Sequence, residues 1–179
     1  MQDVITGDAG IIDALSALCG GDDAVCHKAD QYGNASHWFR LTGTDKVVPA
    51  AKVLKKAGAR LIMISSYDKS GGLTGFEPEL CYHFEVPGVI YSFTVALDAK
   101  NPAVPSITPL FANADWHERE LRELLSIKVE GHPNPNRLFL DETLDAGKLR
   151  SAVPLSVAMN GANSTDLWET ILGAKEKQA

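Results

Sequence analysis

The middle of the chain alternates strictly. Leu80, Tyr82, Phe84 and Val86 are interleaved with Cys81, His83 and Glu85, and Val89, Tyr91, Phe93, Val95 and Leu97 with smaller residues. A period of two predicts two half-buried strands, and Pro87-Gly88 between them predicts a tight antiparallel turn with room for a local bulge. A continuous apolar run, Leu61 to Ser65, predicts a strand before them. Upstream the period lengthens. Ile11, Ile12, Leu15 and Leu18 form one apolar helical stripe ended by Cys19-Gly20-Gly21, which predicts a helix over 9–18. Val47, Ala50, Val53, Leu54 and Ala57 predict a second helix over 45–57, with Pro49 tolerated in its first turn and Gly58 following its last. Short strands at 24–28 and 37–41 flank the polar turn Gln31-Tyr32-Gly33-Asn34 and predict a hairpin.

The order helix, two strands, helix, three strands implies an α+β fold: a two-layer domain with helices on one face of a mixed sheet, followed by an extended C-terminal tail. Asn101-Pro102-Ala103-Val104-Pro105-Ser106 is a proline-stiffened connection leading to a third helix around Trp116 to Leu125. The domain is expected over 1–130. Beyond it, prolines at 133, 135 and 154 leave a tail over 131–179 that wraps a partner, with one short helix at 165–175.

Charge and cysteine usage narrow the chemistry. A net charge of −6 on 179 residues disfavours nucleic acid and anionic lipid as general partners, which leaves proteins. No apolar run reaches the roughly 18 to 20 residues needed to span a bilayer, and Met1-Gln2-Asp3-Val4 lacks a basic, apolar leader. A cytoplasmic location, peripheral at most, is expected. Cys19, Cys26 and Cys81 form no Cys-x-x-Cys pair, so reduced thiols are expected, with Cys81 packed. Gly71-Gly72 and Gly75 read as loop glycines rather than a nucleotide cradle, and His27, His37 and His83 as packed or surface residues.

The third helix carries the most information. In Asp115-Trp116-His117-Glu118-Arg119-Glu120-Leu121-Arg122-Glu123-Leu124-Leu125, Asp115 reads as the N-cap and Glu118 as its capping-box partner. The pairs Glu118–Arg122 and Arg119–Glu123 suit a solvated face, each contributing about 0.3 to 0.5 kcal/mol. After a six-residue spacer that ends in Gly131 comes His132-Pro133-Asn134-Pro135-Asn136-Arg137. Together the two blocks resemble the signature of the complex I thirty-kilodalton subunit family, which also occurs in energy-converting hydrogenases. Glu118, Arg119, Glu120, Glu123, Leu124, Leu125 and His132 fall into its register. The run from Asn101 to Phe111 and the series from Asp45 to Leu97 are also similar to that family. Two positions depart from it: Asn136-Arg137 stands where the family has an arginine pair, and Asn134-Pro135 where it has Asp-Leu.

The resemblance implies a subunit without catalytic residues or a cofactor of its own. Its neighbours would be a large catalytic subunit and a small iron–sulfur subunit holding the clusters and a nickel–iron site or quinone, on the cytoplasmic side of a membrane arm. The partner-binding residues it implies are Trp116, Glu118, Arg119, Glu120, Glu123, Gly131, His132, Pro133 and Arg137, with Arg119 and Arg137 facing partner carboxylates. The looser loop leans toward the hydrogenase branch over the corresponding subunit of a respiratory NADH:quinone oxidoreductase. Two other classes remain open: a small metal-dependent hydrolase using His117, Glu118 and His132, and a free-standing interaction module.

Overall fold

A computed structural model of the chain describes residues 2–21, 25–69, 76–134, 136–140, 143 and 145–147. The hairpin read from the alternation is there. β4 (Pro78–Val86) and β5 (Val89–Ala96) pair antiparallel from Glu79↔Ala96 to Val86↔Val89 without a break. Pro87 presets the turn, and Gly88, at φ 83°, takes the left-handed position that a side chain would resist. The bulge expected there lies instead in β3 (Arg60–Asp68), between Leu61 and Met63 against β4. An inserted residue is accommodated more cheaply on the outer strand of a sheet than beside a two-residue turn that fixes the register.

β1 (Val25–Ala29) and β2 (Ala35–Arg40) form the predicted hairpin, closed by Asp30, whose carboxylate accepts the N–H groups of Tyr32 and Asn34 at 2.8 and 2.9 Å. β2 lies parallel to β5, which makes a mixed sheet in the order β1-β2-β5-β4-β3. α1 (Gln2–Ser16) begins well before residue 9, because a run of apolar residues marks the buried part of a helix and not its end. α2 (Val47–Lys56) is entered through a 3₁₀ turn at Thr44–Lys46, so the start expected at Asp45 moves two residues on.

The helices bury their apolar stripes against one sheet face. Leu15 of α1 and Val47, Ala50, Ala51 and Leu54 of α2 join Phe39, Leu61, Ile64, Leu80, Tyr82, Phe84, Tyr91 and Phe93 of the sheet in a single core. Tyr82 and Phe84 flank Phe93 at centroid distances of 4.8 and 5.5 Å, and Phe111 meets Phe84 edge-on at 5.0 Å. The cluster carries the connection to the third helix on its flank. β6 (Ala103–Pro105) runs parallel to β7 (Lys128–Glu130) in a two-stranded ladder, with α3 (Ala114–Leu125) as the crossover between them. The Asn113 amide donates to the Leu61 carbonyl at 2.9 Å and ties the start of α3 to β3. Cys81 is packed, with 1% exposure, and burial with the neighbouring Glu79 charge pushes its thiol up to about 12. The expected helix at 165–175 and the glycines at 71, 72 and 75 lie outside the described residues.

Candidate functional site

α3 has the composition of a solvated helix and a different use. Its N-cap is Asn113, without a side-chain cap bond, so Asp115 sits inside the first turn and the capping box does not form. Glu118 is withdrawn from that box by stronger donors: it is 1% exposed and accepts the Ser106 hydroxyl at 2.5 Å, the Ile107 N–H at 2.6 Å and the Thr108 hydroxyl at 2.8 Å. A buried carboxylate is tolerated only with such a complete set of donors. Glu118 thereby pins the segment that leaves β6 onto α3.

One turn and a half later Glu123, 4% exposed, does the same for the segment that follows β7. Its two oxygens accept the N–H groups of Leu138, Phe139 and Leu140 at 2.6, 3.2 and 2.8 Å. Burial would raise this carboxyl, but the three N–H donors and the charge of Arg137 win and hold it below the usual glutamate range. Arg119 completes the strap. It pairs with Asp115 at 3.4 Å, and its guanidinium donates to the carbonyl of Asn136 at 3.0 Å and to that of Arg137. Both glutamates are therefore buried anchors and not members of an exposed charge ladder, and the Arg119 guanidinium is engaged within its own chain.

His132 joins the same cluster from the loop after β7, where Gly131 turns the chain at φ 73°. The His132 side chain is 2% exposed, and its Nδ1 accepts the Asn134 N–H at 3.0 Å, so the neutral ring carries its proton on Nε2. That nitrogen lies 3.5 Å from Glu118 Oε2 and 3.7 Å from Asp115 Oδ1. Trp116, Glu120, Gly131 and Pro133 face solvent, as does Phe139. Arg137 lines, with Arg119, Arg122 and Lys128, a groove of roughly 310 Å³ between the end of α3 and the loop. Of the three residues that a metal-dependent hydrolase would need, His117 sits on α3 apart from the donors that hold Glu118, and among the described residues no group of three or more His, Cys, Asp or Glu is placed to hold a metal ion. Sequence reasoning missed Ser106, Thr108, Asn136 and Phe139 as members of the site. Each acts through a backbone or hydroxyl group whose contacts depend on the crossover geometry.

Two anchored glutamates, a strapping arginine and a histidine on a glycine turn give a structural role to Glu118, Arg119, Glu123 and His132 of the double block, and a family match covers the same stretch. The model of the respiratory-chain NADH dehydrogenase, 30 Kd subunit, matches residues 41–159. The chain belongs to that family. A C-type subunit of NADH-quinone oxidoreductase from Roseiflexus sp. (strain RS-1) is 30% identical over 156 residues, covering 83% of this chain and 84% of that one. A C/D-type subunit of NADH-quinone oxidoreductase from Erwinia tasmaniensis is 30% identical over 142 residues, covering 75% of this chain. The chain spans only 24% of that longer relative. Among solved structures, a trypsin-resistant fragment of Nqo5 superimposes with a TM-score of 0.53 at 19% identity, covering 72% of this chain and 98% of the fragment. A chain of the membrane-bound sulfane sulfur reductase, an archaeal respiratory membrane complex, superimposes with a TM-score of 0.62 at 15% identity, covering 89% of this chain and 96% of its own. At these identities the structures establish a shared fold. Among the described residues, no helix is long and apolar enough to cross a membrane.

Proposed function

We propose that this family member is an accessory, non-catalytic subunit in the peripheral, cytoplasmic arm of a membrane-bound complex I-like assembly. There it braces a large catalytic subunit and a small iron–sulfur subunit and carries no redox group itself. The observation that carries this reading is the strap on α3: Glu123 and Arg119 fix the backbone of 136–140 while leaving Phe139, 64% exposed, and Trp116, 67% exposed, projecting outward. Large aromatics held on a pre-ordered backbone suit a docking surface, because the entropy of ordering the loop is already spent before the partner arrives. Trp116, Glu120, Gly131 and Pro133 form the contact surface, and Glu118, Arg119, Glu123, His132 and Arg137 hold it in shape.

The partner's terminal chemistry follows two readings. The lone Arg137, preceded by asparagine at 134 and 136, favours an energy-converting nickel–iron hydrogenase. The relative from Roseiflexus, matched over most of both chains, favours an NADH:quinone oxidoreductase. Purifying the assembly through a tag on this chain and assaying hydrogen evolution against NADH-dependent quinone reduction separates them. Arg119→Ala should reduce the yield of intact complex severalfold while leaving the potentials of its clusters unchanged. A complex of normal yield and stability with this variant refutes the bracing role of the strap.

A further inference from the structure

The two nitrogens of the His132 ring are held unequally. Nδ1 accepts the Asn134 N–H at 3.0 Å, a bond that closes the turn 132–134 and that only an unprotonated nitrogen can make. Nε2, which carries the ring's proton, is buried and makes no hydrogen bond, although two carboxylates stand beside it. Glu118 Oε2 is 3.5 Å away and Asp115 Oδ1 3.7 Å away. Both lie beyond the roughly 2.7 to 3.2 Å of a made bond.

The neighbouring groups are otherwise engaged or neutral. On α3, Asp115 pairs with Arg119 at 3.4 Å, and Glu118 already accepts from Ser106, Ile107 and Thr108. The Tyr82 hydroxyl of β4 is also buried without a partner, and burial with the nearby Glu118 charge pushes its pKa up, so it stays neutral. Upstream on β7, Glu130 turns to Lys128 at 2.9 Å. A second proton on His132 therefore meets two carboxylates and one obstacle. The imidazolium has an N–H on each nitrogen, so Nδ1 presents a hydrogen to the Asn134 N–H and the turn loses its closing bond, while the charge draws Nε2 onto the carboxylates it stops short of when neutral. The closed turn thus binds one proton fewer than the open one: it is favoured as pH rises and lost as pH falls.

We propose that His132 is a proton-operated latch. Neutral, it closes the turn 132–134 through Nδ1; charged, it moves onto Glu118 and Asp115 and releases the turn. The latch stands on this geometry alone. Its use, withdrawing the exposed Pro133 from a partner in mild acid, rests on the accessory-subunit reading above.

NMR of the full chain with nitrogen-labelled histidine, between about pH 8 and about pH 5, tests it. His132 should show the Nε2–H tautomer at the upper end and take its second proton on Nδ1 as pH falls. Below that midpoint the exchange protection of the Asn134 amide, corrected for intrinsic rates, should fall about tenfold per pH unit, while Leu138 to Leu140 and the amides of β4 and β5 keep theirs. His132→Gln, which has no proton to gain, should abolish the step at Asn134. An Nδ1–H tautomer at the upper end, a His132 titration that leaves Asn134 unmoved, or a step at Asn134 that persists in His132→Gln each overturns the latch. Loss of sheet protection at the same midpoint overturns it too, since the histidine then reports unfolding. In the complex purified through a tag on this chain, partner release that follows the His132 midpoint in the wild type and is absent in His132→Gln supports the use in assembly. Association indifferent to pH while the turn opens overturns that use and leaves the latch and the accessory role standing. A wild-type chain that enters no complex overturns the accessory role and leaves the latch.

Discussion

Adjacent residues of one composition do unlike work on α3, and Glu118 and Glu120 show why. Both are glutamates in the same helical turn, yet Glu120 is solvated and Glu118 is enclosed by three donors from 106–108. Removing Glu118 orphans those donors in a buried place, whereas removing Glu120 exposes nothing. Glu118→Ala should cost about 3 kcal/mol or more and Glu120→Ala about 0.5 kcal/mol or less, read from urea midpoints at constant slope. The sequence made Glu118 conspicuous for the wrong local reason. Three positions after Asp115 it fits a capping box, while its donors lie 10 to 12 residues upstream, brought into reach only by the β6–α3–β7 crossover. The family pattern singles out Glu118 and Glu123 by position alone, and a pattern of positions can carry tertiary constraints that no local rule expresses.

At the scale of elements, what was legible followed from periodicity and what was not followed from length. β4, β5 and α2 announce themselves through alternation or a helical stripe repeated several times. β6 and β7 have three residues each and no room for a pattern, so their parallel pairing was unreadable. The end of α3 shows another such limit. Ser126 closes the helix in the left-handed conformation at φ 58°, and its N–H donates to the Leu121 carbonyl. Serine there carries a backbone cost that glycine avoids, so Ser126→Gly should stabilise the chain by about 0.5 to 1 kcal/mol, seen as a rise in melting temperature. Gly147 lies against the same corner, donating its N–H to the Glu123 carbonyl at 2.9 Å. A Cβ on it would come within 2.8 Å of the Ser126 Cβ, so relief at 126 also loosens the packing at 147.

Across the whole molecule, stability is unevenly shared between the sheet core and the strapped loop. The core is held by apolar burial and is indifferent to mild acid, whereas 138–140 hang largely on one carboxylate. Glu123 is held below its ordinary value near 4.5, so its contribution is fully present above that value and is lost as pH falls through the lower folded one. Acidification from neutrality should therefore leave the loop closed down to about that ordinary value and open it only below, ahead of any loss of the sheet. Hydrogen exchange, compared across pH after correction for intrinsic rates, should show Leu138, Phe139 and Leu140 losing protection in that window while amides of β4 and β5 keep theirs. In Glu123→Gln one oxygen is replaced by a donor that faces backbone N–H groups, so the loop should be open at neutral pH and its exchange flat across the same range. Simultaneous loss of protection in loop and sheet would mean that the strap is part of the core's cooperative unit. The loop would then be no more separable than β5, and the docking aromatics Trp116 and Phe139 would be presented by the whole fold instead of by α3.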